Sequence, residues 1–261
     1  MSALDRGVRL RLFLRLMLLQ ATWSFERMQG LGFAFAVEPW LERVYADPAE
    51  RRAALERHAE YFNTQPYAAS LILGCVCAME ESAAALPPAQ RPAAYQRLSL
   101  VKKALGSGLA GLGDSFFWSA LRPAAAAAAV CAGLAVSRSG WPRAGLTTAV
   151  VYLAAYNIPA LWLRWRGLTL GYEWREQLPL KLKAFEIQAW VRRVRFGGTA
   201  LALGGFLLLA ANADPSLRLY GALSFGFCWA AYLVLPGQAT ALRLYGLGCA
   251  AGLFGAAVGW L

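Results

Sequence analysis

The spacing of the charges narrows this chain's fold more than any other feature. Arg and Lys lie in short islands, such as Arg164 with Arg166, Lys181 with Lys183, and Arg192, Arg193 and Arg195. Between and beyond them run apolar stretches near 145–163, 196–211, 216–235 and 243–261, each with at most one charge. A stretch of that length in water would expose its apolar surface, whereas about 20 such residues cross a bilayer. Bulk values agree: 58% of residues are hydrophobic and 16% charged, against about 45–50% and 25% in soluble domains. Ten Trp, ten Tyr and thirteen Phe suit membrane–water interfaces.

The formal charge of +11 does not indicate a nucleic-acid binder. Such a protein clusters its Lys and Arg on a polar, base-stacking domain, but here the islands flank apolar segments as loops obeying the positive-inside rule do. Nucleic acid is therefore not an expected partner. The clustered basic residues over 164–195 are expected on the cytoplasmic side. Five cysteines, Cys75, Cys77, Cys131, Cys228 and Cys249, lie mostly in apolar surroundings and read as reduced, small hydrophobes. Cys75-Val76-Cys77 is too short for a C-x-x-C motif. His58 is the single histidine, so no metal site and no cofactor is expected.

Along the chain, RGVRLRLFLRLMLLQATW at the N-terminus mixes Arg with Leu where a signal peptide keeps an unbroken apolar core. It reads as an interfacial amphipathic helix with snorkelling Arg side chains. Residues 38–66 suggest two short amphipathic helices, with Asp47-Pro48 as a cap and first turn. Ala68 to Met79 is too short to span and is expected as a re-entrant or buried half-helix. Leu105 to Val136 is long enough, but glycines, Asp114 and Arg122-Pro123 predict breaks within it. The fold expected is all-α: a polytopic integral membrane protein with broken half-helices. Its parts are an amphipathic portion at 1–66, a membrane core at 67–172, a basic loop at 173–195 and C-terminal spans at 196–261.

The stretch GSGLAGLGD at 106–114 contains a literal G-x-G-x-x-G. A dinucleotide loop needs a preceding strand and an acidic residue about 20 positions on. Here LSLVKKAL precedes it and an alanine run follows, and no Lys-Ser/Thr pair completes a P-loop. The nucleotide reading fails on context. A glycine-rich unwinding of a membrane segment is expected instead.

Polar side chains at membrane depth cost a few kcal/mol each and are tolerated when paired or facing a cavity. Gln20, Glu26, Arg27, Gln29, Asn63, Gln65, Glu80, Glu81, Asp114, Arg122 and Asn157 concentrate such residues in the first half of the chain. Glu26-Arg27 reads as an internal ion pair, Glu80-Glu81 as a solvated helix end, and His58 as a surface side chain. Asp114 fits a helix N-cap as well as a ligand contact.

Specific segments carry a resemblance. QATWSFERMQGLGF (20–33), RHAEYFNTQPY (57–67), GLAGLGDSFFW (108–118) with Arg122-Pro123, and Asn157-Ile-Pro with RWRGLTLGY (164–172) occur in order. Together they resemble the IID membrane component of the mannose/fructose/sorbose family of the bacterial phosphotransferase system. The resemblance implies a multi-pass subunit of the bacterial inner membrane, embedded in lipid, that pairs with a IIC subunit to conduct a hexose. Cytoplasmic IIA/IIB proteins would then phosphorylate the sugar, so no catalytic phosphohistidine is expected in this chain. Within the matching segments, Trp23, Glu26, Gln29, Asn63, Thr64, Gln65, Asp114 and Trp118 offer the hydroxyl partners and aromatic plates that a hexose pocket needs. Gln20, Arg27, Arg122 and Asn157 are expected in structural or ion-pairing roles. The same residue types also hold broken helices together, so both roles stay open for each side chain.

The chain departs from the family pattern in places. Ser107-Gly108 stands where Gly-Pro is usual, Ala160 to Leu163 displaces the first expected Arg, and beyond Tyr172 only hydrophobicity persists. A divergent, non-transporting scaffold that recruits phosphotransfer proteins is the alternative reading.

Overall fold

The structure, a computed structural model, describes residues 4–138 and 143–212. Among these the chain is helical: α1 (Arg6–Leu16), α2 (Gly30–Val44), α3 (Pro48–His58), α4 (Ala69–Ala84), α5 (Arg91–Phe116), α6 (Arg122–Arg138), α7 (Ala144–Trp174), α8 (Leu178–Ala184) and α9 (Ile187–Asn212). Residues up to Ala202 form one compact unit, and Leu203–Asn212 is the described part of a second. The expected spans near 216–235 and 243–261 lie outside the described residues. Two helical runs, Pro88–Ser137 and Ala144–Ala184, are long and apolar enough to cross a membrane. The stretch 173–195, expected as a basic loop, is largely helical and holds α8 and the start of α9.

The N-terminal helices follow from local chemistry. Asp5 caps α1, its carboxylate accepting from the Val8 amide at 2.9 Å. Val8, Leu12 and Leu16, spaced by four, form the buried stripe of α1. Pro39 inside α2 has no N–H for the Phe35 carbonyl. Arg15 supplies the missing donor at 3.0 Å and also pairs with Glu38. Asp47 caps α3 by accepting from Ala49 N at 3.1 Å, with Pro48 as first helical residue.

At 16 residues, α4 is about 24 Å long at 1.5 Å per residue, short of a hydrocarbon core of about 30 Å. It is buried along nearly its whole length. Its most extensive partner is α7, and small residues allow the approach. A Cβ at Gly74 would lie 2.1 Å from the Leu168 carbonyl oxygen, one at Gly167 2.2 Å from Ser70 Oγ, and one at Gly171 2.0 Å from the Leu71 carbonyl. Gly167 and Gly171 repeat the small-xxx-small spacing that lets membrane helices touch backbone to backbone. Arg91 closes the far end of α4, donating to the Ala84 and Leu86 carbonyls at 3.0 and 2.9 Å.

The glycine-rich stretch corrects one expectation. It does not unwind: α5 runs unbroken from Arg91 to Phe116. Gly113 faces Gln65, whose Cβ would lie 2.5 Å from an added methyl, and a methyl added at Gly106 would lie 3.2 Å from the Asn63 carbonyl oxygen. The glycines buy contact with the 62–65 segment, which outweighs a propensity loss of about 1 kcal/mol each. The irregularity comes later, as a π-turn at Phe117–Leu121. Pro123 cannot supply the next i→i−4 bond, and the helix widens just before it.

Two further expectations are overturned. His58 is not on the surface, and Glu80 is not a solvated helix end: both side chains are fully buried. Glu80 accepts from Arg57 Nη2 at 2.9 and 3.0 Å, from Tyr45 Oη at 2.6 Å and from His58 Nε2 at 2.8 Å. Tyr45 also meets Tyr95 Oη at 3.1 Å, and Lys102 Nζ donates to the His58 carbonyl at 3.1 Å. The knot ties α2, α3, α4 and α5 around one carboxylate. Burial pushes His58 down to about 4, against the pull of its bond to Glu80, so the ring is neutral and Nε2 carries its proton. Burial pushes the Glu80 carboxyl up, but hydrogen bonds from His58 and Tyr45 and the charge of Arg57 hold it at about 2. Glu81 departs from its neighbour by pairing with Tyr172 Oη.

Gly171→Leu should force α4 and α7 apart, at the about 1–3 kcal/mol typical of overpacking or more because backbone is the obstacle. Gly111→Ala, with nothing within 4 Å of its Cβ, should keep the packing intact and raise the melting temperature in detergent, by the about 0.5–1 kcal/mol that alanine gains over glycine inside a helix. Glu80→Gln leaves the Arg57 charge poorly compensated and should destabilise the fold by about 3–5 kcal/mol. Both folded-state values lie below the ordinary 6.5 and 4.5, so the unfolded chain binds more protons. Thermal stability should therefore fall as pH drops from about 6.5 to 4, and again towards 2, with the first step absent in His58→Gln.

Candidate functional site

The four segments that carry the family resemblance lie far apart in the chain, yet the fold brings three of them to one turn, residues 61–67, which belongs to the second. The first segment reaches it by backbone pairing. Gln29 N donates to the Phe62 carbonyl at 2.8 Å, and Phe62 N donates to the Arg27 carbonyl at 3.3 Å. Met28, held at φ +50°, closes this pairing with bonds to Ser24 in both directions. The Gln29 side chain then acts as an extra strand: its Nε2 donates to the Thr64 carbonyl at 2.9 Å, and its Oε1 accepts from Thr64 N at 3.1 Å.

The turn also starts α4. Gln65 Oε1 accepts from the amides of Tyr67 and Ala68 at 2.7 and 3.2 Å, capping donors that a helix start leaves unpaired. The third segment presses on Gln65 through Gly113. The fourth reaches in through Arg164, buried at 6% exposure, whose Nη2 donates to the Pro66 carbonyl at 3.1 Å and whose guanidinium lies 5.0 Å from the Tyr67 ring.

Aromatic rings wall one side of this turn. Tyr67 lies 4.8 Å from Phe117 of the π-turn and 5.9 Å from Tyr156 of α7, by ring centroids. Tyr156 is 6.5 Å from Trp118 and stacks with Tyr152 at 6.2 Å. Arg122 lies 5.3 Å from the Trp118 ring. Inside, Thr64 Oγ1, Gln65 Nε2 and Arg164 Nε are buried without a hydrogen-bond partner among the described residues. Such groups are rare in folded proteins and often mark a ligand or water that completes them.

The residues expected at a site therefore divide. Gln29, Thr64 and Gln65 are buried and spend backbone-directed bonds on holding the turn. Trp23, Glu26, Asn63, Asp114 and Trp118 are exposed, and Trp23 packs edge-on against Phe25 at 4.9 Å. Gln20, Arg27 and Arg122 are exposed as well, and no ion pair joins Glu26 to Arg27 among the described residues. Asn157 is half-buried and donates to the Leu153 carbonyl of its own helix at 2.9 Å. Asp114 lies inside α5 rather than at a helix start, which removes the N-cap alternative. Tyr67, Tyr156 and Arg164, which the sequence does not single out as site residues, also lie at the turn. Arg164 read as a loop charge because two basic residues closed an apolar run, although it falls within the fourth segment.

Comparison with known proteins follows the same segments. Residues 3–200 match the sequence model of the PTS system mannose/fructose/sorbose family IID component. The chain is 39% identical over 168 residues to the PTS system mannose-specific EIID component of Escherichia coli (strain K12), covering 64% of this chain and 54% of that protein. It is 34% identical over 169 residues to the sorbose-specific EIID component of Klebsiella pneumoniae, covering 65% and 57%. The chain thus matches a little over half the length of these relatives. Among solved structures, one described as a membrane protein shares the fold at a TM-score of 0.71 and 24% identity, covering 99% of this chain and 98% of the other. A chain of the mannose transporter ManYZ, in complex with microcin E492, aligns at a TM-score of 0.54 and 25% identity over 99% and 98%. The family match runs through every segment that the fold gathers at the 61–67 turn, and the chain belongs to the IID component family of the mannose/fructose/sorbose phosphotransferase systems.

Proposed function

We propose that this chain is the IID half of a sugar-conducting permease in a bacterial inner membrane, crossing it more than once and working with a IIC subunit. On this reading a hexose passes the 61–67 turn and is phosphorylated by IIA/IIB proteins on the cytoplasmic side. The observation that carries the reading is the convergence of the first, third and fourth segments on a turn within the second, a turn that keeps buried, unpaired donors beside aromatic rings. A hexose offers what that arrangement lacks, namely hydroxyl oxygens for the donors and an apolar ring face for an aromatic plate.

Roles follow from exposure and chemistry. Asn63 and Asp114 supply acceptors and, for Asn63, donors at the accessible edge. Trp118 supplies the plate, held partly by the Arg122 guanidinium above it. Trp23 and Glu26, on the loop before α2, extend the polar edge. Gln29, Thr64 and Gln65 position the turn, with the Thr64 hydroxyl and Gln65 amide nitrogen left to meet the sugar.

The test is phosphoenolpyruvate-dependent uptake of labelled hexoses in cells carrying this chain with its IIC and IIA/IIB partners. Asn63→Ala, Glu26→Gln and Trp118→Ala should each cut uptake at least tenfold, the scale of about 1.4 kcal/mol, while the IIC–IID complex still purifies intact. Gln29→Ala should instead lower the yield of assembled complex, because it removes both bonds to the Thr64 backbone. Absence of uptake of every hexose by an assembled wild-type complex would overturn the transport reading in favour of a scaffold.

A further inference from the structure

Away from the turn, a groove of about 750 Å³ runs between α5 and the α8–α9 corner. That lies within the about 300–1,000 Å³ of small-molecule sites. Leu105, Leu109, Leu112, Leu182 and Ile187 make its walls aliphatic. Gly108 opens its floor: no atom lies within 4 Å of where a Cβ would stand. Unlike Gly106 and Gly113 on the same helix, Gly108 packs against no described residue.

The rim is polar and mixed in sign. Lys183 and Arg192 line it with Glu186, and all three are exposed. Glu186 stands at the corner between α8 and α9 with φ +45°, which turns the chain there. Glu176 also lines the groove but is engaged by Arg97. Over 178–195 the sequence has five basic residues and one acidic, so Glu186 is a single carboxylate in a cationic setting. Next in sequence to lining residues, Leu100 and Leu180 are 70% and 72% exposed, and Phe185 and Trp190 are exposed too. In a membrane component, an aliphatic surface of that extent faces acyl chains or a partner rather than water.

We propose that this groove holds one phospholipid whose headgroup carries both a phosphate and a primary ammonium, as phosphatidylethanolamine does. The phosphate meets Lys183 and Arg192, the ammonium meets Glu186, and an acyl chain fills the trough over Gly108. A headgroup with net negative charge leaves Glu186 opposed to it, and a quaternary choline has no N–H to donate. The proposal rests on the membrane reading of the family and is independent of the sugar site.

Native mass spectrometry of the purified full chain, equilibrated in micelles with equal amounts of phosphatidylethanolamine, phosphatidylglycerol and phosphatidylcholine of identical acyl chains, tests it. One phosphatidylethanolamine should be retained several-fold over the others. Gly108→Trp adds a side chain whose Cβ meets no atom within 4 Å and which projects into the trough, so it should lose that retention while circular dichroism shows the helical fold retained. The double variant Lys183→Gln/Arg192→Gln should lose retention of phosphatidylethanolamine. Glu186→Gln should remove the preference over phosphatidylglycerol. Equal retention of the three lipids, retention of none, or a preference that survives in Gly108→Trp would overturn the proposal.

Discussion

Backbone amides and carbonyls sealed away from water must be met by the protein itself, and residues 62–66 concentrate that demand. Besides the bonds from the start of α4 to Gln65, their partners come from distant parts of the chain. Gln29 bonds Thr64 in both directions, Phe62 pairs with Arg27 and Gln29, and Arg164 reaches Pro66 from α7. Each bond of this kind contributes modestly when made and costs about 1–3 kcal/mol when a buried group loses its partner. The turn therefore depends on three distant segments being in place. That dependence explains why those segments, rather than the apolar spans, carry the recognisable sequence.

Two devices hold the segments there. One is the carboxylate knot, in which Glu80 gathers Arg57, His58 and Tyr45 and fixes the end of α3 against α4 just before the turn begins. A buried carboxylate is unfavourable alone and becomes tolerable only with such a complete set of donors. The other is close backbone contact, with Gly74, Gly167 and Gly171 letting α4 and α7 touch. In lipid, where apolar burial gives helices little reason to associate, contact of that intimacy is a principal source of association. A half-length helix such as α4 needs both devices.

The legible part of the fold lay where a residue's chemistry is local. Asp47-Pro48 as a cap and first turn, the short α4 and the all-helical class followed from composition and spacing. The role of His58 and Glu80 was not legible, because both are ordinary surface residues by type and only the meeting of four helices buries them. The glycines of 106–113 misled for a related reason. Glycine weakens a helix locally, but Gly106 and Gly113 lie where the 62–65 segment approaches, and tertiary contact reverses the local preference. Of the expected site, Gln29, Thr64 and Gln65 were found as residues but not as struts. Tyr67, Tyr156 and Arg164 were hidden because aromatic and basic side chains in a membrane protein have commoner duties at the interface.

The proposal that sugar passes the 61–67 turn is tested most directly by substrate protection. In the assembled IIC–IID complex carrying Asn63→Cys, the rate of alkylation of the new thiol is measured with and without transported hexose, with Leu100→Cys as an exposed control outside the turn. Hexose contact at the turn predicts a slower reaction at position 63 in the presence of the sugar and an unchanged rate at position 100. An unchanged rate at position 63, in a complex that still transports, would contradict it.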